Sequence, residues 1–170
     1  MAIKEFEGAH GTTLNKYAEI KKTGFFRYSG LAGYGIYFWI GIHCISLAKE
    51  WCICNKKIKM SDCVVIIANI KVDDVNYLDL ETLEMKDSIY RLIIKLKLDI
   101  NDKDKKAKLY DSFIKDIEKM INNEIHVYQI RLPAPKKSTY PYEIIGTPFC
   151  CVVRNNKCIF NIRQIKCLEV

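Results

Sequence analysis

Twelve residues in the first quarter of the chain hold four of its eight glycines: Gly24, Gly30, Gly33 and Gly35. Glycine at that density marks sharp turns, or places where the backbone passes something that leaves no room for a Cβ. The last two lead into Ile36-Tyr37-Phe38-Trp39, aromatic and β-branched residues that predict a strand. Upstream, Leu14, Tyr17 and Ala18 lie at i, i+3 and i+4, and the stem of Lys21 at i+7 covers their edge. Residues 13–22 therefore predict a short helix. The expected order is strand, short helix, glycine loop, strand, then a second helix beginning near Ser46.

At the end of the first strand, His10-Gly11-Thr12 puts an imidazole and unshielded backbone amides at one point. Tyr37, on the later strand, adds a flat face and a hydroxyl. These groups suit a planar carboxamide joined to a ribose. Backbone Gly11 pairs with the amide, His10 holds a ribose hydroxyl, and Tyr37 stacks on the ring. That is a nicotinamide nucleotide site without a phosphate-cradling helix. No Gly-x-Gly-x-x-Gly opens a helix here, which argues against a Rossmann site.

In these residues the chain resembles the poly(ADP-ribose) polymerase-like branch of the ADP-ribosyltransferases. That family's pattern is His-Gly-Ser/Thr, a short helix ending in Gly-Phe or Gly-Leu, Gly-x-Gly-Ile-Tyr-Phe, then a Ser that starts a helix. His10-Gly11-Thr12, Gly24-Phe25, Gly33-Tyr34-Gly35-Ile36-Tyr37-Phe38 and Ser46 match it in order. The resemblance covers residues 8–54, is weak at the C-terminus, and is absent from roughly 85–125. It implies an α+β fold with an ADP-ribosyltransferase-like split antiparallel β-sheet core and short flanking helices. The chain's length implies a single domain over residues 1–170, and two amphipathic helices in the region the resemblance does not cover read as a two-helix insertion at about 85–123.

The resemblance further implies NAD as the substrate-cofactor, contacted by His10, Gly11, Thr12, Tyr34, Tyr37 and Ser46. His10 and Tyr37 take the first two places of the His-Tyr-Glu triad. The third place falls near Phe149 or Cys150, and Cys150 is read as its occupant. No carboxylate lies between Glu143 and Glu169. Chain elongation depends on activating a ribose hydroxyl, so the missing Glu implies a mono-ADP-ribosyltransferase. A catalytically inactive NAD- or ADP-ribose-binding module and an NAD glycohydrolase stay open beside it. The acceptor is expected to be a macromolecule, protein or nucleic acid, activated by Glu50, by His43 or by itself. A small toxin or defence effector with a neutralising partner is the biological setting that the resemblance and the chain's size imply.

Hydrophobic residues at 49% with 28% charged are ordinary for a globular domain of 170 residues. No apolar run reaches the length of a membrane span, and Met1-Ala2-Ile3-Lys4-Glu5-Phe6-Glu7 lacks a signal peptide's apolar stretch. A soluble, cytoplasmic protein with no membrane partner is expected, with the nucleus left open. The formal net charge is +7, concentrated in Lys56, Lys57 and Lys59, in Lys103, Lys105, Lys106 and Lys108, and in Lys136 and Lys137. No recognisable nucleic-acid-binding motif accompanies these lysines, so a solvated surface accounts for them. The eight cysteines have the wrong spacing for zinc knuckles and no secretory context for disulfides, so free buried thiols and no metal are expected.

Further on, Cys63 to Ile70 is a continuous β-branched run that predicts a strand covered on both faces. Tyr77-Leu78-Asp79-Leu80 reads as a short extended piece. Asp87-Ser88 is the expected cap of a helix over 89–98, and a second amphipathic helix is expected over about 107–121. Residues 124–132 alternate as a strand, and Pro133 to Pro141 is a loop offering Tyr140, with Tyr142 just beyond it, to a substrate. The last strands are expected over 149–156 and 158–162.

Overall fold

A computed structural model describes residues 2–167. The first strand, β1 (Ile3–Thr13), runs into helix α1 (Leu14–Thr23). Thr13 marks the boundary: its extended backbone ends the strand, and its hydroxyl accepts from the Lys16 amide at 3.3 Å to cap the helix. A hairpin, β2 (Tyr28–Gly30) and β3 (Gly33–Ile40), follows, then helix α2 (Cys44–Glu50), which runs on through a π-helical turn, Trp51–Asn55. The β-branched run forms β4 (Cys63–Asp73), and Tyr77–Asp79 forms β5. Helices α3 (Leu83–Leu96) and α4 (Lys103–Ile121) lead to β6 (Val127–Arg131). The short helix α5 (Tyr142–Ile145) and strands β7 (Phe149–Val153) and β8 (Ile159–Lys166) complete the described chain.

The fold is α+β: one eight-stranded sheet in the order β5-β6-β7-β3-β1-β4-β8, with β2 paired to β3 off that path. An antiparallel core was expected, and most ladders are antiparallel, but β5 runs parallel to β6. Parallel neighbours need a long crossover, and α3 and α4 are that crossover. The two helices are therefore the connection that makes β5 and β6 neighbours, rather than an attachment to a finished sheet.

Both helices begin earlier than the sequence suggested. Thr82, not Asp87-Ser88, caps α3, its hydroxyl accepting from the Met85 amide at 3.4 Å. Asp102 caps α4 through Oδ1, which accepts from the amides of Asp104 and Lys105 at 3.0 and 3.1 Å. The charged residues 102–106, which lie before the helix expected over about 107–121, thus supply its cap and first turn.

Alternating side chains divide the core between the two faces of the sheet. On one, Ala9, Trp39, Val65, Ile67, Tyr128, Ile130 and Val152 pack beneath Leu47 and Ala48 of α2 and Phe113 and Ile114 of α4. On the other, Ile36, Phe38, Val64, Ile66, Val127 and Val153 pack against Ile20 of α1 and Phe25. β4 is buried on both faces, as its uninterrupted aliphatic run requires. Seven of the eight cysteines are buried and Cys54 is half-buried, all as free thiols. Among the described residues no helix is long and apolar enough to cross a membrane.

Candidate functional site

The sheet is uneven along β1. Its ladder with β4 covers eleven residue pairs, from Ile3↔Asp73 to Thr13↔Cys63. Its ladder with β3 covers two, Gly8↔Ile40 and Ala9↔Trp39. Beyond Ala9 the β1–β3 ladder ends, and His10 stands at that point. Its Nδ1 lies 2.8 Å from the Tyr37 carbonyl oxygen. A carbonyl only accepts, so Nδ1 carries the proton and Nε2 keeps its lone pair.

The imidazole is buried against Phe25 and Phe38, with both ring centroids at 5.7 Å. Burial, with the charges of Lys56 and Lys16 against the Tyr37 hydrogen bond, brings its pKa down to about 4. His10 is therefore a neutral hydrogen-bond acceptor at physiological pH.

Tyr37 meets His10 through its backbone. The His10 ring belongs to the layer under Phe25, whereas the Tyr37 ring packs on the opposite face of the sheet, with the core beneath α2 and α4. The Tyr37 hydroxyl donates to the Gly33 carbonyl at 2.6 Å and accepts from the Ala32 amide at 3.1 Å. Tyr28 stacks on it, with centroids 5.5 Å apart and planes 29° from parallel. A Cβ on Gly30 would sit 2.5 Å from the Tyr37 ring, so the β2–β3 loop can fold over that ring only with glycine there. Burial pushes the phenol pKa of Tyr37 well up, leaving a neutral hydroxyl.

Gly11 is crowded from the other direction. A Cβ there would meet the Ala48 carbonyl oxygen at 2.2 Å and the Cys52 sulfur at 2.7 Å. Ala48 and Cys52, one helical turn apart, are thus the residues that α2 and its π-turn bring to Gly11. Ser46 is exposed on the same helix and donates to the His43 carbonyl at 2.9 Å. Lys56 Nζ lies 3.3 Å from the Gly11 carbonyl, and burial lowers its pKa. Thr12 is buried, and its carbonyl accepts from the Cys52 thiol at 3.8 Å.

Cys150 lies on β7, opposite Trp39 of β3 and Ile130 of β6. Its thiol is buried and its pKa is pushed well above the usual range, chiefly by desolvation. A neutral thiol there is neither a general base nor a nucleophile. A carboxylate does reach the opposite end of β3: Asp111 of α4, whose Oδ1 accepts from the Tyr34 amide at 2.7 Å. Its charge is among those holding the Tyr37 phenol neutral.

Tyr34 itself is exposed, with the Arg27 guanidinium 5.6 Å from its ring centroid. Arg27 opens a cleft of about 530 Å³ that continues past Arg154, His126, Asn156 and Lys157. Glu50 is occupied on the far side of α2, where its carboxylate accepts from Ser138 and Thr139. The Tyr140 ring meets His43 edge-on at 5.4 Å, and Tyr142 is exposed on α5.

The structure thus brings together His10, Gly11, Thr12 and the backbone of Tyr37, with Tyr34 at the start of β3 and Cys150 on β7 opposite Trp39. It does not bring Ser46 to them. Lys56, Tyr28 and Asp111 were missed. For Lys56 a signal existed: it follows Cys52 by four residues, the spacing that places both on one helical face. Among the described residues no group of three or more His, Cys, Asp or Glu side chains is arranged to hold a metal ion. No protein-family profile matches the chain, and no curated protein matches its sequence.

Proposed function

We propose that this chain is a mono-ADP-ribosyltransferase that cleaves NAD and transfers ADP-ribose to a macromolecular acceptor. In this reading the sheet that opens between β1 and β3 is the split ADP-ribosyltransferase-like core, and NAD enters at the opening. The observation that carries the reading is His10: fixed by its Nδ1 proton on the Tyr37 carbonyl, it keeps a neutral Nε2 acceptor, which in this reading takes a ribose hydroxyl.

The chemistry asks for orientation more than for a strong base. Breaking the bond between C1′ of the ribose and the nicotinamide nitrogen develops oxocarbenium character on the sugar, and nicotinamide leaves as a neutral molecule. Holding the ribose against His10 and the carboxamide against the Gly11–Thr12 backbone supplies the alignment. Entry of nicotinamide displaces two groups now in place, the Lys56 ammonium on the Gly11 carbonyl and the Tyr28 ring on Tyr37. Asp111 is then the carboxylate available to an acceptor that approaches from the Tyr34 side. The cleft beyond Arg27, lined by Arg154 and Lys157 and also by Glu118 and Glu124, is where such an acceptor would lie.

A second reading, an NAD- or ADP-ribose-binding module without transfer, is favoured by one observation: the third triad place holds a buried neutral thiol. Adenylate-labelled NAD, incubated with a cell extract and either the wild type or His10→Ala, separates the readings. Label on macromolecule with the wild type alone supports transfer, and protease or nuclease sensitivity then names the acceptor class. Free ADP-ribose without labelled macromolecule replaces transfer by glycohydrolysis. NAD bound but intact leaves the binding module. No binding by calorimetry overturns all three.

A further inference from the structure

We propose that Cys63 and Cys167 are an oxidisable dithiol, at which a peroxide closes a reversible disulfide between β4 and the end of β8. The inference does not depend on the NAD reading. Cys63 opens β4, opposite Thr13 of β1, and Cys167 follows directly on β8, where Lys166 pairs with Val64. The sheet therefore delivers to one point two thiols that are 104 residues apart in sequence. Their sulfurs lie 2.6 Å apart, closer than two unbonded sulfurs ordinarily sit, and the Cys167 thiol donates to Cys63.

No other pair of cysteines is held in this way among the described residues. Cys150 and Cys151 are neighbours in one strand and point to opposite faces of the sheet. Cys52 lies nearby, but its thiol donates to the Thr12 carbonyl, beside the opening between β1 and β3. Burial raises the pKa of both thiols, that of Cys167 to about 12, and the charge of Lys49 opposes that rise only in part, so the pair rests as neutral thiols brought together by the sheet.

The step balances with hydrogen peroxide as oxidant. Cys63, the hydrogen-bond acceptor of the pair, must first give up its proton, and its sulfur then attacks one peroxide oxygen. The O–O bond breaks, water leaves after protonation, and a sulfenic acid forms. The Cys167 sulfur then attacks the sulfenic sulfur, the S–S bond forms, the S–O bond breaks, and a second water leaves. Two thiols lose two protons and two electrons, and one peroxide becomes two waters. A dithiol reductant reverses the change by exchange.

The test uses the full chain. It is treated with a small excess of hydrogen peroxide, quenched, denatured, alkylated and mapped by mass spectrometry. Six of the eight thiols should take the alkyl group, with one cross-linked peptide joining Cys63 to Cys167. Dithiothreitol should restore all eight. The unfolding midpoint of the oxidised wild type should rise by about 10 °C, since a long loop is closed in the unfolded chain. Cys167→Ser should show neither the cross-link nor the rise. The wild-type peptide map decides the matter even if that variant folds poorly. Eight alkylated thiols, a link from Cys63 to Cys52 alone, or only sulfinic and sulfonic acids at Cys63 would overturn the proposal.

Discussion

The two edges of β1 are made of the same eleven residues and behave differently. Toward β4, every residue from Ile3 to Thr13 is paired, and the aliphatic neighbours Val64, Val65 and Ile66 are fully buried. Toward β3, pairing stops after two residues, and an imidazole reaches the Tyr37 carbonyl in place of further ladder bonds. A ladder bond is made once and stays made. A side chain that reaches across to a carbonyl keeps a second ring nitrogen for something else. The paired edge holds the fold, and the parted edge has groups left over to bind with.

The largest test of that contrast is at Gly11, where β1 is pressed by α2. Gly11→Ala would put a methyl 2.2 Å from the Ala48 carbonyl oxygen, a backbone atom with no rotamer to move to. A loss of about 3 kcal/mol or more in urea unfolding is expected, at the upper end of overpacking costs. A loss below about 1 kcal/mol would mean that α2 is free to move away from β1, and would remove the reason for glycine in this motif.

His10 gives a nearly equal effect with a defined pH window. Its folded pKa of about 4 lies below the unfolded value near 6.5, so as pH falls the unfolded chain takes up the proton first. The histidine's contribution is complete above about pH 6.5 and is lost as pH falls toward about 4, by up to about 3 kcal/mol. Urea midpoints of the wild type and His10→Gln at pH 7 and pH 4.5 check this. The variant should lose less stability over that interval, and parallel losses would show that the imidazole is not held buried and neutral.

Why some of this was legible in the sequence follows from the same contrast. β4 could be read because a continuous β-branched run has one comfortable environment, a strand covered on both faces. His10 and Tyr37 are singled out by short motifs, and their contact still spans 27 residues that no local spacing could have shown. Lys56 and Asp111 meet their partners across 45 and 77 residues, distances at which no periodicity survives. Helical phase is the harder part to read: it puts Ala48 and Cys52, rather than Ser46, against Gly11. The parallel pairing of β5 and β6 was invisible because it depends on where α4 delivers the chain.

Asp111 sharpens the comparison from the β3 side. Asp111→Ala leaves the Tyr34 amide without its partner and loosens the loop folded over Tyr37. A cost of about 1–2 kcal/mol is expected for a partly exposed charge-assisted bond. Hydrogen exchange discriminates better than stability here. Amides from Ala32 to Tyr37 should exchange about 10-fold faster, while those of the β1–β4 ladder keep their protection. Uniform acceleration in both regions would mean that the two edges of β1 open together and are not separable units.

The smallest effect lies on the paired edge. Glu7 of β1 and Arg163 of β8 face each other across β4, with Oε2 and Nη2 only 2.6 Å apart. The distance invites the view that this pair clamps three strands together. Both side chains are more than half exposed, at 53% and 60%, so water and salt screen the attraction and each long side chain gives up rotamer freedom to make it. A double-mutant cycle with Glu7→Gln and Arg163→Gln should return a coupling below about 0.5 kcal/mol, shrinking further in 0.5 M salt. A coupling above about 1 kcal/mol would place real stability in surface charge, on the edge where the argument assigns it to the ladder and to buried aliphatic residues. The outcome matters for the parted edge too. If the paired edge stands without its ion pair, then charges such as Lys56 and Asp111 can move on binding without weakening the frame that holds them.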